Sequence, residues 1–100
     1  TDKDDVYISN ECTRNAILYY MHQEIPYNIA VINKSFVLLK NNDLKIKQEI
    51  QIKNHRYKGM LLGKNGDNIK TIREKSQTDI KEILNCNIHL YLKIVIKDET

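Results

Sequence analysis

Four residues, Gly63-Lys64-Asn65-Gly66, are the part of this chain best suited to holding a charged ligand. All three glycines of the 100 residues fall between positions 59 and 66. Glycine is needed where φ is positive or where another backbone approaches closely. Small residues at both ends of the loop would let a polyanion's backbone come into van der Waals contact. The amides that open a following helix point outward and favour an anion. Lys64 adds a charge that reaches a phosphate, and Asn65 tolerates left-handed φ and can donate a hydrogen bond. The four-residue pattern by itself also fits an ordinary connection between two helices, so the flanking sequence has to decide.

Other chemistries find little support. Gly59-Met60-Leu61-Leu62-Gly63-Lys64-Asn65 has three residues between its glycines, where a nucleotide-binding P-loop needs four. It also has Asn65 where such a loop needs a Ser or Thr for Mg²⁺. His22, His55 and His89 are scattered, and neither Cys12 nor Cys86 stands at metal-ligand spacing from them. No Ser/His/Asp set and no paired carboxylates suggest catalysis, so no catalytic and no metal-binding residue is expected. The two cysteines read as free thiols of a reducing compartment, with a disulfide between them as the alternative. The six tyrosines are not grouped like the stacking aromatics of an RNA-binding sheet. Tyr57 lies nearest the glycine loop. His89 reads as a surface residue, with base stacking as its alternative.

The net charge of +3 is too small to imply a polyanion partner, but its distribution is uneven. From Lys53 to Lys75 there are seven basic and two acidic residues, so this window carries +5 and the rest of the chain −2. A basic excess gathered around one loop is the electrostatic footprint of a phosphate-binding face. No apolar run approaches the length of a membrane span. The abundance of Ile, Lys and Asn suits an AT-rich genome. The absence of an initiator Met suggests a segment of a longer protein.

The elements that must position the loop follow from periodicity. Residues 1–8 read as an acidic, irregular linker. Ser9 or Asn10 can cap a helix that runs to about Gln23, with Ala16, Ile17, Tyr20 and Met21 on its buried stripe. Pro26 ends that segment. Residues 28–40 are β-rich, Asn41-Asn42-Asp43 is a turn, and Leu44–Lys53 alternates strictly except at Gln48. The two strands should form a hairpin. A short apolar segment, Tyr57–Leu62, precedes the loop. The helix after it carries Ile69, Ile72, Ser76, Ile80, Ile83 and Leu84 on one face, and Asn85 can end it in left-handed conformation. The last strand turns Ile88, Leu90, Leu92, Ile94 and Ile96 inward, and His89, Tyr91, Lys93 and Lys97 outward. The order is α-β-β-α-α-β in an α+β fold, with helices on one face of the sheet. Gly59 is expected to serve close packing of the short helix.

Several stretches together resemble one family. Gly63–Gly66 is similar to the clamp loop of KH domains, which grips about four nucleotides of backbone. Glu24-Ile25-Pro26-Tyr27-Asn28-Ile29-Ala30-Val31 resembles the signature at the first strand of the KH domain in Era-type GTPases. Lys58-Gly59-Met60-Leu61-Leu62-Gly63-Lys64-Asn65-Gly66 resembles that family's K-G-I-I-I-G-K-x-G. Ile69, Ile72, Asp79-Ile80 and Leu84 fit its next helix, and Cys86, Ile88, Leu90 and Leu92 fit its closing strand. The resemblance covers residues 9–97, with 98–100 as a tail. Two positions depart from it: Asn65 stands where the family usually has a second Lys, and Lys93 where it often has an aromatic.

The resemblance implies a type II KH domain with a three-stranded mixed sheet, excised from the C-terminal half of an Era-type GTPase. It implies single-stranded RNA as partner, at the 3′ end of small-subunit ribosomal RNA, and a role in small ribosomal subunit assembly. GTP and Mg²⁺ are expected only in the absent G domain. A monomer inside the cell is expected, in an apicoplast or mitochondrion of an apicomplexan-like eukaryote or otherwise in the cytoplasm. Leu62, Gly63, Lys64, Asn65, Gly66 and Ile69 are expected to contact RNA, with Lys58, Lys70 and Arg73 supplying charge. The alternative is a degenerate KH module that docks proteins or regulates the parent GTPase.

Overall fold

A computed structural model describes residues 3–21 and 29–97. Helix α1 spans Lys3–Tyr20, with Asp4 and Asp5 in its first turn where the helix dipole favours negative charge. It begins well before the cap expected at Ser9 or Asn10, so residues 3–8 are helical and not irregular. The missed turns, residues 3–8, bury no side chain fully, and the buried stripe of α1 starts only at Ser9 and is partly polar. Ser9, Cys12, Thr13, Ala16 and Ile17 are all buried, and the Ser9 hydroxyl donates to the Asp5 carbonyl at 2.8 Å. Small polar residues satisfied in this way leave no apolar period to read. Pro26 and most of the Glu24–Val31 signature lie outside the described residues.

Strand β1, Ala30–Leu38, runs antiparallel to β2, Leu44–Ile52, as the expected hairpin. Its turn is built by Asn42 at φ 71° and by the Asp43 amide donating to Asn41 Oδ1 at 3.0 Å. A bulge between Asn33 and Ser35 leaves Lys34 unpaired in the ladder. Strand β3, Ile88–Ile96, runs parallel to β2, which makes the sheet mixed with β2 at its centre. The parallel crossover is made by helix α2, His55–Leu62, a single 3₁₀ turn, Lys64–Gly66, and helix α3, Asp67–Leu84. Asn85 ends α3 at φ 56°, ψ 46°, in the left-handed conformation expected of it.

The helices bury one sheet face in two apolar clusters. One gathers Ala16, Ile17, Ile50, Ile52, Leu61 and Ile72. The other gathers Cys12, Leu44, Ile46, Ile80, Ile88 and Leu90. Between them runs a thin polar layer. Thr13 of α1, Gln48 of β2 and Ser76 of α3 are each almost wholly buried and each separates members of the two clusters. Gln48 therefore does not break the strand's alternation. It holds the inward position, accepts a hydrogen bond from Thr13 Oγ1 at 2.5 Å and donates to Asn10 Oδ1 at 3.4 Å. Ser76 returns its hydroxyl to the Ile72 carbonyl at 2.7 Å. Its small size lets α3 lie close to its neighbours.

Ile83 does not join the buried face of α3, being 57% exposed. Its position lies one residue off the stripe that Ile72, Ser76 and Ile80 define at intervals of four. Cys12 and Cys86 are both free thiols, and loss of hydration on burial raises the pKa of each. His89 is committed to Asp43, with Nε2 2.8 Å from Oδ2 across the end of the sheet. That contact is the largest cause of the lowered pKa of the Asp43 carboxyl.

Two predictions follow from these bonds. In urea denaturation, Thr13→Val and Gln48→Leu should each cost about 1–3 kcal/mol, because each takes the shortest hydrogen bond from a buried polar side chain and leaves it at best a long one. The double variant should lose less than the sum, by a coupling of about 1 kcal/mol. Additive losses would mean the bond is not made. The second concerns acid. A carboxyl with a lowered folded pKa stabilises above its unfolded pKa, and this contribution fades as pH falls through the folded value. Wild type should therefore exceed Asp43→Asn in Tm at neutral pH, and the gap should close below the ordinary carboxylate range.

Candidate nucleic-acid interface

The corner between α2 and α3 is set by one residue without a side chain and one with a short amide. Helix α2 opens on Asn54, whose side chain accepts the Arg56 amide at 2.9 Å. It closes on Gly63, whose amide returns to the Gly59 carbonyl at 2.9 Å. Gly63 has φ 71°, ψ 179°, a region open essentially to glycine alone. A Cβ built there would lie 2.5 Å from Asn68 Cβ and 2.9 Å from the Asn68 amide nitrogen. The close approach is thus internal: α3 comes up against the loop's first glycine.

Asn68 uses that proximity. Its Nδ2 donates to the Met60 carbonyl at 2.8 Å, tying the first turn of α3 to the last turn of α2. The same atom lies 3.2 Å from Met21 Sδ at the end of α1. Sequence reasoning missed Asn68. The available signal was a short amide side chain two residues past a glycine, the type that bonds neighbouring backbone.

The tip of the corner is Lys64-Asn65-Gly66. The Gly66 amide donates to the Gly63 carbonyl at 3.2 Å. Asn65 sits at φ 56°, ψ 25° and Gly66 at φ 77°, ψ 12°. Asn65 takes the left-handed backbone anticipated for it. Gly66 occupies the N-cap position of α3 and offers no side-chain cap to the helix amides. An uncapped N-terminus holds amides that an anion can satisfy. Asp67 in the same first turn opposes this, and Lys64 counters it. The Lys64 and Asn65 side chains are exposed.

The other expected residues surround this tip. Leu62 is at the exposed end of α2, and Ile69 is half-buried against the first apolar cluster. Lys58 stands one turn before Leu62, and Arg73 one turn after Ile69, each on the same helix face as its partner. Lys58 and Lys70 are exposed and Arg73 is half-buried. Met60, not singled out from sequence, adds a further exposed apolar side chain near the corner. Tyr57 is less available than its position suggested. Its ring packs on the core, and the Arg56 guanidinium lies 5.2 Å from its centroid.

Gly59 does not serve close packing. A Cβ there would meet nothing within 4 Å, because α2 turns Leu61 and not Gly59 to the core. Gly59 and Gly63 should therefore separate in a stability assay. Gly59→Ala should stabilise by about 0.5–1 kcal/mol, as expected for an exposed helical site. Gly63→Ala should destabilise by more than about 2 kcal/mol through both backbone strain and the Asn68 contact. Equal small effects at 59 and 63 in thermal unfolding would contradict the geometry.

Among the described residues no group of three His, Cys, Asp or Glu could hold a metal ion. Among the same residues no helix is long and apolar enough to cross a membrane. Comparison with known proteins agrees on one fold. The KH domain family matches over residues 24–100. GTPase Era of Rickettsia canadensis (strain McKiel) is 35% identical over 98 residues, 98% of this chain and 33% of that protein. GTPase Era of Maricaulis maris (strain MCS10) is 32% identical over 89 residues, 89% of this chain and 28% of that protein. The chain thus spans about one third of the length of the relatives it matches.

Among solved structures, Aquifex aeolicus Era bound to GDP·AlF4⁻ superposes with a TM-score of 0.84 at 24% identity, over 92% of this chain and 31% of that one. Era in complex with MgGDPNP and nucleotides 1506–1542 of 16S ribosomal RNA superposes with a TM-score of 0.83 at 25% identity, over 91% and 31%. With its α-β-β-α-α-β order, its mixed sheet and a family match across most of its length, the chain belongs to the KH domain family, in the type II form it shares with the Era GTPases.

Proposed function

We propose that this domain binds single-stranded RNA, with the Gly63–Gly66 corner gripping the sugar-phosphate backbone. The observation that carries the reading is the start of α3, which has no side-chain cap, behind an exposed Lys64 and Asn65. Phosphate oxygens would accept from amides of the first α3 turn beyond Asp67, whose own N–H is returned to the Lys64 carbonyl, and from the Lys64 ammonium. Lys58, Lys70 and Arg73 add charge along the two helix faces. Leu62 and Ile69 offer an apolar floor on which bases lie. The strand bound is the 3′ end of small-subunit ribosomal RNA, supported by the 16S fragment held in the similar Era structure. The role is that of the RNA-binding part of an Era-type GTPase that assists assembly of the small ribosomal subunit.

This domain carries out no reaction of its own in that scheme. GTP and Mg²⁺ belong to a G domain elsewhere in such a protein. The residues present do not fit them, since the loop has Asn65 in place of a hydroxyl ligand and the described residues offer no carboxylate cluster.

Lys64→Asp combined with Asn65→Asp reverses charge at an exposed tip and should leave the circular dichroism native. Affinity for a single-stranded oligoribonucleotide, read by fluorescence anisotropy, should fall more than about tenfold (roughly 1.4 kcal/mol). Unchanged affinity in a folded double variant would refute the clamp and favour a protein-docking role. In a salt titration, Lys64→Ala should make the log–log slope shallower by about 0.7, the value for one phosphate contact on a single strand. A slope equal to wild type would remove Lys64 from the contact.

A further inference from the structure

The helices cover one face of the sheet, and the strand register sets out what lies on the other. Val37, Lys45 and His89 form one row across the three strands, Ser35, Lys47 and Tyr91 the next, and Ile32, Glu49 and Lys93 a third. Tyr91 is 52% exposed near the middle of this face, with Ile32 and Val37 also exposed. The Lys45 ammonium lies 5.9 Å from the centroid of the Tyr91 ring. A shallow depression of about 200 Å³ lies beside the ring, bordered by Lys34, Lys47, Glu49 and Lys93. Lys34 reaches it because the β1 bulge takes that residue out of the ladder.

Charge on this face is one-sided. Among the described residues, Lys34, Lys45, Lys47 and Lys93 take part in no ion pair. Asp43, at the end of the first row, is held by His89. Glu49 is the other carboxylate of these rows. Its carboxyl is held below the ordinary range by the Gln51 side chain, which donates to it at 3.1 Å, and by Lys34, Lys97 and Lys93 nearby. The face therefore joins an exposed aromatic ring and two aliphatic side chains to a rim of lysines that outnumber its carboxylates. A positively charged surface tracking a backbone, with an aromatic ring for a base, is how proteins hold single strands without reading sequence.

We propose that this open face is a second contact surface for single-stranded RNA, with one base stacked on Tyr91 and adjacent phosphates met by Lys34, Lys45, Lys47 and Lys93. The base takes the place of the Lys45 ammonium on the ring and frees that charge for a phosphate. The choice of RNA rests on the clamp reading above. The surface itself is separate from the Gly63–Gly66 corner, since it lies on the sheet face opposite the helices. The strand long enough to reach both surfaces would gain by linking two weak sites, without a new contact at either.

The test compares two oligoribonucleotides by fluorescence anisotropy on the folded domain. One has about four nucleotides, the length a clamp loop grips. The other has about sixteen, the upper end of the lengths that single-strand-binding modules track. Tyr91→Ala and the double variant Lys47→Gln with Lys93→Gln should each weaken binding of the longer strand by about tenfold, within the range for loss of one stacked base. Each should leave the shorter strand unchanged, and Tyr91→Phe should keep wild-type affinity for both. Native circular dichroism excludes misfolding, as all three positions are on the exposed face. Equal affinity of wild type and both variants for the longer strand overturns the second surface and leaves the clamp standing. Failure of the wild type to bind either strand overturns both. Capture of an acidic peptide by this face, with RNA binding unaffected, also overturns it.

Discussion

The corner at Gly63 closes only because that position has no side chain. With φ 71° and ψ 179°, its backbone brings the start of α3 against the end of α2, and any Cβ would strike Asn68. Asn68 then fixes the approach by bonding the Met60 carbonyl. The angle between the two helices, the exposure of Lys64 and Asn65, and the opening amides of α3 all depend on this contact. A larger residue at 63 would open the corner. The amides, Lys64 and the apolar floor would then no longer converge.

What holds the corner in place lies deeper. Helix α2 is short and anchors through Leu61, so the corner inherits its position from α3. Helix α3 is fixed by Ile72 and Ile80 in separate apolar clusters, with Ser76 in the polar layer between them. In the same layer the bond between Thr13 and Gln48 sets the height of α1 over β2. Apolar packing alone would tolerate a slide of either helix by a turn. A buried hydroxyl bonded to a buried amide across two elements makes such a slide costly. The layer thus fixes register, and the clusters on either side supply most of the burial energy.

The alternation of β2 and β3 was legible because each strand has one buried and one solvated face. The hairpin turn and the left-handed Asn85 were legible from residue type. The N-terminal turns of α1 were not, because residues 3–8 bury no side chain fully and the stripe they lead into opens on the polar Ser9. The role of Gln48 was hidden for a related reason: a buried amide reads as a break until its partner 35 positions away is known. At the site, Gly63, Lys64, Asn65 and Gly66 were legible as a loop. Sequence cannot tell whether a glycine is needed for its own φ, for a ligand or for a neighbour. Hence the expected packing role went to Gly59, and the internal contact of Gly63 with Asn68 was missed. Tyr91 was set aside because stacking aromatics were sought as a group, whereas its setting is made by lysines from three strands.

The central claim is that the Gly63–Gly66 corner and the opening amides of α3 are where RNA backbone is held. The most direct measurement is a nitrogen-15 amide NMR titration of the folded domain with a short single-stranded oligoribonucleotide. The account predicts that the largest and earliest shifts fall on the amides of residues 63–70, with smaller ones on α2. Saturating shifts elsewhere on the surface, with the amides of 63–70 unmoved, would contradict it.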